Sequence, residues 1–252
     1  MAASAWDALV INYPEAKGVS RGNTDGFMQA VGLISPVTRD RTTGMEFIQV
    51  PGGCFQLNKH EVCVSSFSIG KYEVTQGEWL NIMGSNPSHF NSCGSDCPVE
   101  QVSWNDAQEF IRKLNNMSGK EYRLPTEVEW EYACRGGGKS DEHCGGDEGN
   151  SVAWYLNNSD GKTQKAGTKI PNGLGIYDMS GNVSEWCQDW YGYSFPSGGR
   201  KNPVGPSSGS HRVSRGGSWI DDPEFVRSST RSNRDPGRAY DFQGFRLAIS
   251  DK

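Results

Sequence analysis

An α+β fold with little regular secondary structure is predicted by three features of this 252-residue sequence. Thirty-two glycines and twelve prolines make turns the dominant local element. Three short segments open on a capping hydroxyl and carry apolar residues at helical spacing. Near the C-terminus, two stretches of alternating apolar and polar residues flank a long polar segment. Hydrophobic content is only 35%, but eight Trp and ten Phe supply bulky side chains for a core.

Taken in order, Ser4 and Asp7 with Trp6, Leu9 and Val10 predict a short capped helix, and 23–31 a second in which Phe27, Ala30 and Val31 share a face. Residues 1–42 read as an extension, and 43–252 as the main domain. Met45–Phe55 reads as a strand and turn, and Phe67–Val74 as another strand. Thr75 and Glu78 form a capping box for a helix that buries Trp79, Ile82 and Met83 and stops at Gly84. Ser103 opens the clearest helix, with Trp104, Ala107, Phe110, Ile111 and Leu114 on one stripe and Gly119 at its end. Thr126 and Glu129 box a third, running to Cys134. Its acidic first turn suits the helix dipole, so Glu127, Glu129 and Glu131 are read as structural.

Beyond Gly136, about a hundred residues are dominated by turns. Within them, 173–190 is dense in Gly, Asp and Asn. Asp178, Asn182 and Glu185, with the carbonyls of Gly181 and Val183, offer hard oxygen donors of the kind calcium takes, or alternatively Asx-turn hydrogen bonds with no ion. Val213 alternates with polar neighbours, as do Phe245, Leu247 and Ile249. Two strands are therefore expected to hold up the polar, mixed-charge stretch 220–243, a surface suited to function.

Net charge of −5 argues against general nucleic-acid binding. No apolar run approaches the roughly 18 residues a membrane span needs. Met1-Ala-Ala-Ser-Ala-Trp lacks the basic-then-apolar layout of a leader. Seven cysteines fit poorly with a complete disulfide framework. Cys93 and Cys97 form the one close pair, read as a local disulfide or two free thiols. A second pair at zinc spacing is missing.

The order of Gly44-Met-Glu-Phe-Ile-Gln-Val-Pro-Gly-Gly, Lys71-Tyr-Glu-Val-Thr, Pro98-Val-Glu-Gln-Val-Ser-Trp104, Arg123-Leu-Pro-Thr-Glu-Val-Glu-Trp-Glu-Tyr-Ala, Gly175-Ile-Tyr-Asp-Met-Ser-Gly-Asn-Val-Ser-Glu-Trp186, Arg215-Gly-Gly-Ser-Trp219 and Gly244-Phe-Arg246 resembles the formylglycine-generating-enzyme (sulfatase-modifying-factor) domain over residues 44–250. The resemblance implies a C-type-lectin-like fold, with structural calcium at Asp178, Gly181, Val183 and Glu185. The oxidases of that family use two cysteines shortly after the Gly-Gly-Ser-aromatic turn. Here those positions hold Asp221 and Val226, and neither is the soft ligand that Cu(I) requires. The ergothioneine-type branch holds iron with helical histidines, whereas His60, His89, His143 and His211 show no paired spacing.

A further branch of this fold comprises ligand-binding variable proteins of diversity-generating retroelements, whose C-terminal segment is diversified. Adenine-directed mutagenesis excludes Lys, Met, Trp, Glu and Gln, and between 220 and 243 only Glu224 and Gln243 belong to that set. The resemblance therefore implies a non-catalytic protein recognising a protein or surface ligand, displayed extracellularly or on a cell or virion surface. Its platform would comprise the aromatics Trp219, Phe225, Tyr240 and Phe242 with the polar residues Asp221, Asp222, Glu224 and Arg234. Trp219 is equally well read as core. The alternative is a formylglycine-generating-type oxidoreductase.

Overall fold

The computed structural model describes residues 36–58, 60–193 and 201–251. Both helices expected before residue 32 lie outside them. A five-stranded antiparallel sheet has the order β1-β2-β5-β11-β6, with β1 Val37–Arg39, β2 Glu46–Val50, β5 Phe67–Gly70, β6 Tyr122–Arg123 and β11 Ala248–Ser250. Val37–Arg39, read from sequence as part of the extension, thus form the edge strand of this sheet. A second sheet has the order β10-β7-β8-β9, with β7 Ser184–Trp190, β8 Arg212–Arg215, β9 Arg231–Arg234 and β10 Gln243–Gly244. Only β10 runs parallel to its neighbour. A separate hairpin joins β3 Gly53–Leu57 to β4 His60–Val64.

All three helices form where the capping residues place them. In α1 (Gln76–Met83), α2 (Trp104–Ser118) and α3 (Glu127–Cys134), Thr75, Ser103 and Thr126 accept the amide of Glu78, Asp106 and Glu129, and each acid returns to the cap amide. Each exchange satisfies two of the donors a helix start leaves open. Gly84 and Gly119 end α1 and α2 in left-handed conformation. The stripe of α2 packs with α1 under the five-stranded sheet, where Trp79 stacks on Phe110 at 5.3 Å. A second apolar cluster joins α3, the β3–β4 hairpin and β7.

Three strand expectations are corrected. The strand and turn expected over 45–55 are β2 and Pro51-Gly52, but Gly53 already opens a further strand, β3, in a different sheet. The C-terminal strand begins at Ala248, because Phe245–Leu247 cross between the sheets with all three side chains buried. The stretch 220–243 is not wholly irregular: β9 pairs with β8 although its Arg-Ser-Asn-Arg sequence has no apolar alternation.

Cysteine pairing also exceeds the expectation. Cys54–Cys63, Cys93–Cys97 and Cys134–Cys144 are disulfides, and Cys187 alone is free and buried. Three disulfides belong to the chemistry of an oxidising, extracytoplasmic setting. No helix of the described residues is long and apolar enough to cross a membrane.

Candidate ligand-binding face

The C-terminal face is set by the glycine turn after β8. Gly216 and Gly217 have φ of +93° and +67°, and a Cβ on Gly217 would sit 2.5 Å from the Phe225 carbonyl oxygen. Only glycine meets both demands. The turn delivers Ser218 and Trp219 to the end of the sheet. There the Trp219 indole N–H donates to the Asp241 carbonyl at 3.1 Å, and its ring meets the edge of Phe90 at 5.1 Å. Trp219 is only 8% exposed, so it is the floor of the face rather than an open contact. Its burial depends on Phe90, 129 positions earlier in the chain, which sequence proximity could not reveal.

Three other expected binding residues contact one another beside the Asp241 carbonyl that Trp219 bonds. Tyr240 and Phe242 stack at 5.1 Å, and the Arg234 guanidinium lies 5.5 Å from the Phe242 ring and 5.9 Å from that of Tyr240. The four remaining residues lie on the turn after Trp219 and have other neighbours. Asp221 accepts the Ser218 hydroxyl at 2.6 Å, and its carbonyl accepts the Leu156 amide. Asp222, Glu224 and Phe225 are exposed on or beside the 3-10 turn Pro223–Val226.

Sequence reasoning missed Phe90, Trp104, Trp190 and Arg212. The Arg212 guanidinium carbon lies 3.8 Å from the Trp104 ring centroid and 3.5 Å from that of Trp190. Trp104 lies on the apolar stripe of α2, yet its indole N–H donates to the Cys187 carbonyl and its ring flanks the sheet. The one available signal was the aromatic-rich run around Trp190. Segment 86–101 also contributes. Glu100 is buried and accepts the amides of His89 and Phe90 at 3.1 and 2.8 Å, fixing the turn that carries Phe90. Burial raises the Glu100 pKa to about 7, against the lowering effect of those two amides.

Beneath the face lies a buried ionic layer. Arg215 pairs with Glu131 and approaches Glu127, which in turn receives Arg231 at 2.5 Å. Arg246 donates two bonds of 2.7 Å to Glu185, whose Oε2 also accepts the Trp130 indole at 2.7 Å. Glu73 accepts the Asn182 side chain and the Val183 amide, and desolvation followed by Asp178 and Glu185 pushes its pKa well up. Desolvation also raises Asp178, to about 6.

This arrangement bears on the calcium set. Asp178 Oδ2 accepts the Gly167 amide, and Oδ1 is buried without a partner, so one donor oxygen is open. Glu185 departs from the set, because both its oxygens are taken by Arg246 and Trp130. Among the described residues no group of three or more His, Cys, Asp or Glu side chains is disposed to hold a metal ion. Of the set, Asp178 keeps an oxygen free for a cation, whereas Arg246 is the cation that the Glu185 carboxylate meets.

Of the two positions that the sequence resemblance aligns with the oxidases' cysteines, Asp221 is bonded to Ser218, and Val226 is buried with Val152, Ala153 and Tyr155. Cys187 is sealed in the core, where burial, with Glu127 and Asp189 nearby, drives its thiol pKa well up.

A mixed fold with two sheets, three capped helices and long turns, with Gly244-Phe-Arg246 crossing between the sheets, is the C-type-lectin-like architecture of the formylglycine-generating domains. The family model for the sulfatase-modifying factor enzyme 1-like domain matches residues 33–251, and the chain belongs to that family. It is 32% identical over 277 residues to the chaperone protein LppX of Paenibacillus barcinonensis, covering 87% of this chain and 95% of that one. It is 35% identical over 194 residues to the formylglycine-generating enzyme of Streptomyces coelicolor, covering 68% of this chain and 60% of the enzyme. Of solved structures, Treponema denticola variable protein 1 superposes with a TM-score of 0.77 at 31% identity, covering 86% of this chain and 99% of that one. PvdO from Pseudomonas aeruginosa gives 0.75 at 27% identity, with the same coverage.

Proposed function

We propose that this chain is a non-catalytic recognition protein whose C-terminal face, spanning 219–242, binds a protein or surface ligand outside the cytoplasm. The observation that carries the reading is the state of its sulfurs. All seven cysteines are accounted for: six are in disulfides and Cys187 is buried with a raised thiol pKa. Copper-thiolate oxidation needs accessible thiolates, and a buried, high-pKa thiol is inert. The likeness to a variable protein over nearly its whole length supports the same reading. Diversification of the face by a retroelement is part of the proposal. Its check is a near-copy of the codons for 215–246 beside a reverse-transcriptase gene.

The kinship with formylglycine-generating enzymes supports the rival reading, a sulfatase-modifying oxidoreductase. Incubating the full chain with Cu(I), oxygen and a cysteine-containing peptide separates the two. We expect no copper retention and no conversion of the peptide; conversion with turnover would overturn the recognition reading.

A further inference from the structure

Among the described residues, partly or fully buried arginines are closed by carboxylates: Arg123 by Glu129, Arg135 and Arg215 by Glu131, Arg231 by Glu127, Arg246 by Glu185. Arg212 and Arg234 are the exceptions. They are direct partners across β8 and β9, so both side chains leave the same face of the sheet from adjacent positions. Like charges placed opposite each other repel, and among the described residues no carboxylate forms an ion pair with either. Asp189 is the acid whose field reaches Arg212, but its oxygens are held by the amides of Glu127 and Gly205.

Rings take the place of counter-ions. Trp104 and Trp190 flank Arg212, and Tyr240 and Phe242 lie beside Arg234. Aromatic faces hold a guanidinium by its plane and leave its in-plane N–H donors for an acceptor. Those donors are under-used. Arg212 gives Nη1 to the Gln188 carbonyl and its unpartnered Nε is sealed from solvent, so Nη2 is the donor it presents; Arg234 gives Nη1 to the Asn233 carbonyl, leaving Nε and Nη2. Desolvation lowers the Arg212 pKa, consistent with a charge lacking compensation.

We infer that Arg212 and Arg234 form a paired-guanidinium seat for a carboxylate side chain, Asp or Glu, of the protein partner. The inference rests on the recognition reading above and extends its face onto β8. A planar, bidentate acceptor matches the donors that the rings leave free. Interleaved Trp, Tyr and Arg are the residues that dominate protein interfaces. The chain's net charge of −5 disfavours long polyanions such as nucleic acid, while a single carboxylate meets the two arginines locally.

The test uses the full chain labelled with 15N-arginine, titrated with a blocked glutamate-containing peptide, its glutamine counterpart and inorganic sulfate. The guanidinium N–H signals of Arg212 and Arg234 should shift with the glutamate peptide and not with the glutamine one. Arg212→Lys and Arg234→Lys keep the charge but lose the fork, and each should weaken binding about tenfold, whereas Arg238→Lys should not. Silent guanidinium N–H signals at millimolar peptide, an equal response to the glutamine peptide, or lysine variants that bind like wild type would overturn the seat. Sulfate binding as tightly as the peptide would reduce it to an unspecific anion patch and also overturn it. Tyr240→Ala and Phe242→Ala in the same titration separate the two readings. If they abolish the response while the lysine variants do not, the face stands and the seat falls. If the arginines respond as predicted but the aromatic variants bind like wild type, the seat stands and the wider face falls.

Discussion

Arg246 and Arg234 lie twelve positions apart, yet the protein uses them in opposite ways. Arg246 is fully buried and bonded to Glu185, Gly70 and Tyr177, tying β7 to the connection between the sheets. Arg234 is half-exposed, lies against two rings and gives one bond to its own neighbour's carbonyl. The contrast separates a layer that holds the fold from a layer that has donors left to offer. Carboxylates close the first, and aromatic faces open the second.

The strongest way to break this comparison is to remove the closed arginine. Arg246→Met leaves Glu185 buried with only the Trp130 indole, and an uncompensated buried carboxylate costs about 3–5 kcal/mol. Denaturant unfolding should show that loss; a change below about 1 kcal/mol would mean that the layer is not structural.

Next in size is the turn that joins the two layers. Gly217→Ala forces a Cβ onto a left-handed residue and toward the Phe225 carbonyl at 2.5 Å. The conformational term alone is about 1–2 kcal/mol, and the contact adds to it. Loss of thermal stability together with altered near-ultraviolet signals from Trp219 is expected. A variant with unchanged melting would show that the turn relaxes without cost.

How far the sequence revealed these layers differs sharply between them. The helices were legible because Thr75, Ser103 and Thr126 carry their partners within three residues, a local chemistry that the fold does not override. The β3–β4 hairpin and β7 were not. The hairpin turns at Asn58 with φ +46°, and β7 is buried on both faces, which removes the alternation that marks a half-exposed strand. Tyr240, Phe242 and Arg234, singled out by residue type, lie in contact with one another. Trp219 was open between core and platform, and the structure places it with the core. Arg212 was invisible, because its role comes from the register with β9 and from Trp104 on a distant helix.

A smaller effect sharpens the view of what supports the aromatic floor. The folded pKa of Glu100, about 7, lies above the ordinary carboxylate value of 4.5, so the native state holds a proton more tightly than the unfolded chain does. Its contribution to stability is present below pH 4.5 and is lost as pH rises toward 7. Glu100→Gln removes that titration but replaces one acceptor oxygen with a donor facing the His89 or Phe90 amide. Relative to wild type, the variant should therefore gain stability between pH 5 and pH 7.5, by on the order of 1 kcal/mol. Parallel curves for the two proteins would show that Glu100 does not titrate in this range.

The smallest effect is the one on which the contrast turns. Arg234→Met removes a guanidinium that no carboxylate meets, so nothing charged is stranded in the interior, and the methionine still covers the Tyr240 and Phe242 rings. Its stability should stay within about 0.5 kcal/mol of wild type, as for a surface residue outside any network. Measured beside Arg246→Met under the same denaturant conditions, the pair should differ by several-fold in cost. If Arg234→Met proved as damaging as Arg246→Met, Arg234 would belong to the holding layer. Its ring contacts would then be packing, and the free donors on which recognition depends would be an accident of that packing.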